Sequence, residues 1–463
     1  MAFITCSQFK KRHLNTTSGT LAVAGVHLPL AFFSSVNVLL AFAIIFTSML
    51  RFVLAMLTLA SLTTSAQTTD TVFLETLLKS RPDLFNGILQ HPQHNEVQLL
   101  YTQINRDKNN VPHFTSFSYR LNPKRYFYPA STVKLPTAIF ALEKLNELSI
   151  KGLDKDAEMR TDSAFAGQTK VMQDATAPGG KPSVVHYLKK ILLVSDNDAY
   201  NRLYEFVGRQ EINQKLKKYR LGNTRIIGRL AVGDAGEPTR HTNPIGFYQN
   251  GLLVYTKPAL YDALDYPMQL ENMQQGKGYL DSKDQLVMQP FDFSEKNVYP
   301  IADQQSVLRR LLFPEAYPVK QRFNLKPDDY RFLYRYMSLY PTESTSPVYL
   351  RPEYYPAFCK FLFYGADSSA VMNPDIRIFN KVGDSYGYDI DNAYIVDFKH
   401  QVEFMITAVV QSNEDGIYND NKYEYETVCL PFLKNIGQVL YQYELKRRKE
   451  HLPDLTKFKF NYQ

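Results

Sequence analysis

Two side chains three residues apart offer the clearest chemistry in this chain: Ser131 and Lys134, within Tyr128-Pro129-Ala130-Ser131-Thr132-Val133-Lys134-Leu135-Pro136. The run that follows them is apolar and helix-forming. On a helix, positions i and i+3 share a face one turn apart, so the lysine nitrogen can reach the serine hydroxyl. A serine attacks a carbonyl well only when a neighbour takes its proton, and a lysine whose pKa is lowered by burial can do this. Alone, the spacing is a weak sign, since Ser7 and Lys10 repeat it near the start of the chain.

The company of the pair is more telling. Ser195-Asp196-Asn197 follows it, and then Lys381-Val382-Gly383. S-x-x-K, S-D-N and K-T-G occur together in class A β-lactamases and penicillin-binding proteins. The chain therefore resembles the penicillin-recognising serine hydrolase family, and within it the class A β-lactamases. The resemblance implies that Ser131 attacks the carbonyl and becomes acylated, with Lys134 as base or proton relay. It makes Ser195 the donor of a proton to the leaving nitrogen and Asn197 the partner of the substrate's amide side chain. Lys381 supplies positive potential for Ser195 and for a substrate carboxylate. The backbone N–H groups of Ser131 and of Asp384, the residue after Gly383, form the oxyanion hole, where each donor is worth about 3–4 kcal/mol.

Two departures from the family pattern matter. The middle residue of K-T-G brings a hydroxyl to the substrate carboxylate, and Val382 has none. Class A enzymes also use a loop glutamate for deacylation. If Arg229 matches the arginine that opens this loop, Ala231 stands in the glutamate's place. Glu237, the one glutamate of the loop, lies beside Pro238 at the other end and reads better as a surface carboxylate than as the base.

The elements that must position these residues are legible in outline. A helical pattern from Val72 is interrupted at Pro82 and resumes to Leu89. Val97 to Ile104 and Phe114 to Leu121 read as a hairpin about the Arg106–Asn110 turn. The Ser131 helix continues through Leu145, with Pro136 early enough in it to be tolerated. A second helix from Ser183 to Val194 leads into Ser195, and a third begins at Ala199. Arg220 to Pro244 reads as a loop. Helices are expected near 305–312 and 327–339, strands at 376–382, 393–398 and 402–410, and a terminal helix over 427–450 whose basic end suits its dipole. This gives an α+β fold of the β-lactamase and transpeptidase-like kind: a mainly antiparallel sheet flanked by helices, plus an all-helical subdomain. The Ser131 helix is expected to be buried between that subdomain and the sheet. The tyrosine-rich stretch of about 247–347 is longer than the family needs and reads as an insertion, its tyrosines serving as amphipathic core and surface rather than a carbohydrate platform.

Composition sets limits. The chain has 463 residues, 44% hydrophobic and 13% aromatic, ample for a core. The formal charge of +7 includes Lys10, Lys11, Arg12 and Arg51, and setting these four aside lowers it to +3. Without a basic run interleaved with aromatics, nucleic acid is excluded as a partner. Leu28 to Leu50 carries no charge and is long enough to span a bilayer. Within the same region Met49 to Arg51 reads as a basic start, Phe52 to Leu62 as a hydrophobic segment and Thr64-Ser65-Ala66 as a cleavage site. Met49 is read as the functional start, with 1–48 an upstream extension and 49–66 a signal peptide. The rival is an uncleaved anchor over 28–50. Either predicts an exported, periplasmic domain over 67–463 that meets the membrane only through its N-terminal segment. Cys359 and Cys429 are then a pair or two buried thiols. His91 and His94 have no third ligand nearby, and no phosphate or dinucleotide motif occurs, so neither metal nor cofactor is indicated.

The expected function is an exported serine hydrolase acting on β-lactams or related amides through an acyl-enzyme at Ser131. The alternatives are a D-alanyl peptidase or esterase of the cell envelope, and a penicillin-binding protein without turnover.

Overall fold

Period-two alternation with apolar residues on both faces dictates the centre of the fold. The computed structural model describes residues 70–233 and 235–462, all within the compact unit Gln67–Gln463. Five strands form the main sheet: β1 (Gln98–Arg106), β2 (Pro112–Tyr119), β3 (Ile376–Ser385), β4 (Tyr388–Asp397) and β5 (Val402–Gln411). They are antiparallel throughout, in the order β3-β4-β5-β1-β2, so β3 is an edge. Successive residues of a strand face opposite sides. Leu100 and Ile104 of β1 thus enter one core, while Leu99 and Tyr101 enter another.

Helices cover both faces, which is why every residue of β4 and β5 is buried. On one face lie α1 (Val72–Lys79), α2 (Pro82–Gln90) and, at the far end of the sequence, a long helix over Leu430–Lys446. On the other are α3 (Lys134–Leu148), α4 (Val184–Val194), α5 (Asn197–Val207) and α6 (Arg209–Lys218). They are joined there by α7 (Ile301–Leu312) and α8 (Pro327–Ser338); the long terminal helix is α9. The expected layout is present: an antiparallel sheet between helices, with the Ser131 helix buried from Lys134 to Lys144 and on to Leu145.

Several boundaries differ from expectation for identifiable reasons. β4 begins at Tyr388, five residues before the apolar signal, because Asp389, Asp391 and Asn392 are buried polar residues within it. Asn380 Nδ2 donates to Asp391 Oδ1 at 2.9 Å, and Asn392 Nδ2 donates to Gln304 O at 2.9 Å. The terminal helix starts after a π-turn over Tyr425–Cys429 and stops at Lys446. Beyond it Lys449 Nζ donates to the Glu444 carbonyl at 2.9 Å, so the basic run folds back on the negative end of the helix. Within the tyrosine-rich stretch, α7 lies directly on the sheet. Gln305 Nε2 donates to Leu100 O and Thr407 Oγ1, and Thr102 Oγ1 donates to Gln305 Oε1. Tyr299, Tyr334 and Tyr340 belong to the core there. Cys359 and Cys429 are both free and buried, not paired. Among the described residues no helix is long and apolar enough to cross a membrane. The apolar run of 28–62 and the expected cleavage site lie outside those residues.

One ion pair joins sheet neighbours in the interior. Arg106 Nε and Nη2 donate to the two carboxylate oxygens of Glu403 at 2.6 and 2.8 Å, and Tyr394 Oη donates to Glu403 Oε2 at 2.7 Å. Neither charged side chain is more than 2% exposed. Glu403→Ala is expected to cost about 3–5 kcal/mol, because it strands a buried guanidinium, whereas a double exchange of Arg106 and Glu403 for methionine and leucine costs less. Urea denaturation of the two variants measures the difference.

Candidate active site

Ser131 stands on a 3-10 turn, Ala130–Val133, that runs straight into α3. Thr132 closes the turn on Pro129: its N–H donates to Pro129 O at 3.1 Å and its Oγ1 at 2.6 Å. Ala130 has φ +46°, in the left-handed region that costs a non-glycine residue about 1–2 kcal/mol. Against this turn lies the end of the edge strand β3. A Cβ on Gly383 would sit 2.9 Å from both Pro129 O and Ser131 N and 3.0 Å from Thr132 N, all backbone atoms. Only glycine permits that approach. It sets the Asp384 peptide beside the Ser131 N–H, which has no intrahelical acceptor in a first turn.

The tripeptide Ser195-Asp196-Asn197 is a joint between helices. Ser195 ends α4 in the left-handed conformation, φ +58°, and Asp196 caps α5 by accepting from Ala199 N at 2.7 Å. Lys190 braces the joint, with Nζ 3.1 Å from Asp174 Oδ2 and 3.3 Å from Asp196 Oδ2. This sharp turn aims Ser195 and Asn197 at Lys134. Lys134 Nζ donates to the Ser195 carbonyl, to Ser195 Oγ at 3.2 Å and to Asn197 Oδ1 at 2.6 Å. Lys381 reaches the same hydroxyl from β3, donating to Ser195 Oγ at 2.8 Å and to its neighbour's carbonyl, Val382 O, at 2.9 Å. Lys134 makes no hydrogen bond to Ser131. The 3-10 turn breaks the α-helical phase between them, and the hydrogen bonds of the lysine nitrogen go to the joint.

Burial shapes the electrostatics. Lys134 has no exposed surface, and desolvation, reinforced by the nearby Lys381, holds its pKa well below that of a free lysine; Asp384 and Asp196 oppose the shift. Desolvation lowers Lys381 to about 8, against the opposing influence of Cys359, Asp384 and Asp391. Asp384 opens onto the cleft but is ringed by protein, and desolvation raises its carboxyl against the pull of Lys134 and Lys381.

A cleft of about 450 Å³ brings Ser131, Ser195, Asn197, Ala231, Val382 and Asp384 to one surface. Lys134, Lys381 and Gly383 lie beneath it. A cavity of about 520 Å³ around Gly208 and Asp262 holds none of these residues. The loop expected to carry a deacylating glutamate is tied at both ends by Arg229, which pairs with buried Glu205 and donates to Pro238 O at 2.7 Å and His241 O at 2.6 Å. Ala231 therefore presents a methyl group, at φ +67°, where the resemblance would put the glutamate. Glu237 is an exposed partner of His241 Nε2 at 3.0 Å, and His241 stacks on Phe165. Neither Glu237 nor His241 lines the cleft. Sequence reading missed Glu205 and the cleft residue Asp389; their only trace is a carboxylate amid apolar neighbours, which does not distinguish a brace from a site.

The model of the β-lactamase enzyme family matches residues 87–258, the part that holds Ser131, Lys134, Ser195 and Asn197. This match is consistent with the penicillin-recognising serine hydrolase family. No curated protein matches the chain. Solved structures that align with it include a β-lactamase from Sphaerobacter thermophilus, at 11% identity and TM-score 0.44, covering 80% of this chain and 97% of that one. An ancestral class A β-lactamase aligns at 12% and 0.43, covering 79% and 99%, and PBP-A at 16% and 0.41, covering 78% and 95%.

Two outcomes follow from the geometry. Gly383→Ala is expected to lower stability by about 1–3 kcal/mol, as strand and turn are forced apart, and to slow reaction at Ser131. Thermal unfolding and acylation rates measured together check this. Reactivity of Ser131 toward an acyl probe is expected to fall as pH rises through about 8, where Lys381 loses its proton. Lys381→Arg keeps the charge and should move that decline to higher pH; a decline that stays in place assigns it to another group.

Proposed function

We propose that this chain, a β-lactamase-like serine hydrolase fold, forms an acyl-enzyme at Ser131 with amide or ester substrates, and forms it faster than it hydrolyses it. The observation that carries the reading is the convergence of Lys134 and Lys381 on Ser195 Oγ beside Ser131. A buried amine of lowered pKa is a competent base. Catalytic hydrogen bonds often tighten only with substrate in place, so the absence of a Lys134–Ser131 bond is compatible with proton transfer. As Ser131 Oγ bonds to the carbonyl carbon, its proton passes to Lys134, and the oxyanion is held by the Ser131 and Asp384 N–H groups. Ser195, polarised by Lys381, then protonates the departing nitrogen or oxygen as the bond from it to the carbonyl carbon breaks. Asn197 is shared between Lys134 and the substrate's amide.

Hydrolysis of the ester needs a base for water on the far side, and Ala231 supplies none. This favours slow deacylation over efficient β-lactam turnover, and so an acyl-trapping peptidase, esterase or penicillin-binding protein over a resistance enzyme. Export to the periplasm belongs to the same reading and rests on the uncharged run of 28–50 and the segment after it.

A fluorescent penicillin is expected to label the purified protein covalently and to leave Ser131→Ala unlabelled. The label should persist while a chromogenic cephalosporin is turned over slowly or not at all. Rapid cephalosporin turnover would overturn the claim of slow deacylation, and labelling retained in Ser131→Ala would remove Ser131 as nucleophile.

A further inference from the structure

The cleft continues past Ser131, round the end of β3, to a compartment lined by carboxyl groups rather than lysines. On β3, Val382 and Asp384 share a face, and Asp389 of β4 is the register partner of Asp384 on that same face. Glu426, on the π-turn before α9, joins them at the cleft wall, with Tyr355, Phe358 and Tyr425. Asp389 is 1% exposed and its Oδ2 is buried without a hydrogen-bond partner. Among the described residues no lysine, arginine or histidine forms an ion pair with Asp384, Asp389 or Glu426; Lys134 and Lys381 are committed to Ser195, Asn197 and Val382 O.

Burial raises the carboxyls of Asp384 and Asp389, which stand directly opposite on neighbouring strands and disfavour each other's ionisation, and a buried polar oxygen without a partner costs free energy. Among the described residues the arrangement has no ion-pair partner for its carboxyl groups; Lys134 and Lys381 act on Asp384 from beneath the cleft. It also lacks the hydroxyl that would greet a substrate carboxylate, since Val382 stands there. Aromatic rings beside carboxylates suit an organic cation. No group of three or more His, Cys, Asp or Glu among the described residues is placed to hold a metal ion.

We propose that this compartment binds the cationic end of the substrate's leaving group, an organic ammonium, so that the protein selects cationic esters or amides over the anionic ones its motifs suggest. Asp384 and Glu426 face the ammonium, and Asp389 stands behind them with a buried oxygen that has no hydrogen-bond partner. With a choline ester, Ser131 Oγ bonds to the acyl carbon, the bond from that carbon to the alkoxy oxygen breaks, and the serine proton, relayed by Lys134 and Ser195, ends on the hydroxyl of free choline. Penicillins carry a carboxylate and react here through the strain of their ring, not through this compartment.

The kinetic test compares three phenylacetylglycyl esters, of choline, of its uncharged isostere 3,3-dimethylbutanol and of lactate. The choline ester is expected to exceed the isostere in acylation kcat/KM by about tenfold, the order expected of one cation–aromatic and carboxylate site, with the lactate ester lowest. Asp389→Asn and Glu426→Gln should each shrink that ratio. An isostere that reacts as well as the choline ester overturns the proposal, as does a ratio that survives both substitutions together. This arm rests on acylation at Ser131; a second does not. Butyltrimethylammonium titrated into Ser131→Ala, followed by NMR of the methyl resonance, should bind, and bind more weakly after Asp389→Asn. No binding overturns the proposal even if the esters fail for want of acylation. Calcium or magnesium that displaces the ammonium, and whose own binding Asp389→Asn removes, overturns it in favour of an inorganic cation site.

Discussion

A lysine nitrogen with no access to water must have protein acceptors for its protons or give up its charge, and at Lys134 both responses are built in. Its three donors are matched by the Ser195 carbonyl, Ser195 Oγ and Asn197 Oδ1, all from one helix joint, and its pKa is depressed by burial and by Lys381. That match ties α3 to the α4–α5 joint more tightly than apolar packing would, because a shift of either leaves a donor stranded. Lys381 brings the sheet to the same hydroxyl. Ser195 is thus where the helical part and the sheet meet, and Lys381, by sharing it, weakens the hold of Lys134 on a proton.

The remaining features serve that meeting point. Glycine at 383 lets β3 press on the Ser131 turn backbone to backbone, so the oxyanion hole proposed above would be a packing consequence of one missing Cβ. The brace Arg229–Glu205 fixes the loop that carries Ala231, and Glu205 also accepts from Asn243 N, so both arms of the loop hang from one buried carboxylate. The loop keeps its anchor although the position it would position in a class A enzyme holds only a methyl.

What the sequence disclosed follows from range. Ser131, Lys134 and Ser195-Asp196-Asn197 were legible because each is a local pattern at an element end, and the β1–β2 hairpin because its turn is local too. Lys381 was found through its place in a set. Residues whose role is set by partners far along the chain were not legible: the helix expected near 305–312 is present, yet nothing local shows that its Gln305 bonds to Leu100 and Thr407 across the sheet. The polar start of β4 hid the first half of that strand for the same reason, since Asp391 is matched by Asn380 and the Leu362 N–H. Spacing also could not say that Ser131 and Lys134 fall on different helix types, which decides where the lysine points. The tyrosine-rich stretch reads as an insertion because its signal is compositional; that the helices inside it join a core is defined only by the folded sheet.

Asp384 connects the two ends of the cleft. Its peptide follows Gly383, beside the proposed oxyanion position, and its side chain opens to the acidic compartment, so in the proposed reaction one residue would couple the charge that develops on the carbonyl oxygen to the charge of the leaving group. An anion at Asp384 disfavours an oxyanion nearby unless something positive intervenes; at the distances of neighbouring side chains in a site of effective dielectric about 20, such an interaction is on the order of a few kcal/mol. The lysines offset it from one side, but they are fixed in place and partly discharged by burial. A cation brought by the substrate would offset it from the other, and would leave with the alcohol or amine once the acyl bond is made. Acylation would then be favoured while the substrate is whole, and the acyl-enzyme, with the acidic face uncovered and no glutamate at 231, would meet water with the field set against a second oxyanion. On this account the missing base and the acidic compartment act in the same direction, and both hold the reaction at the covalent intermediate.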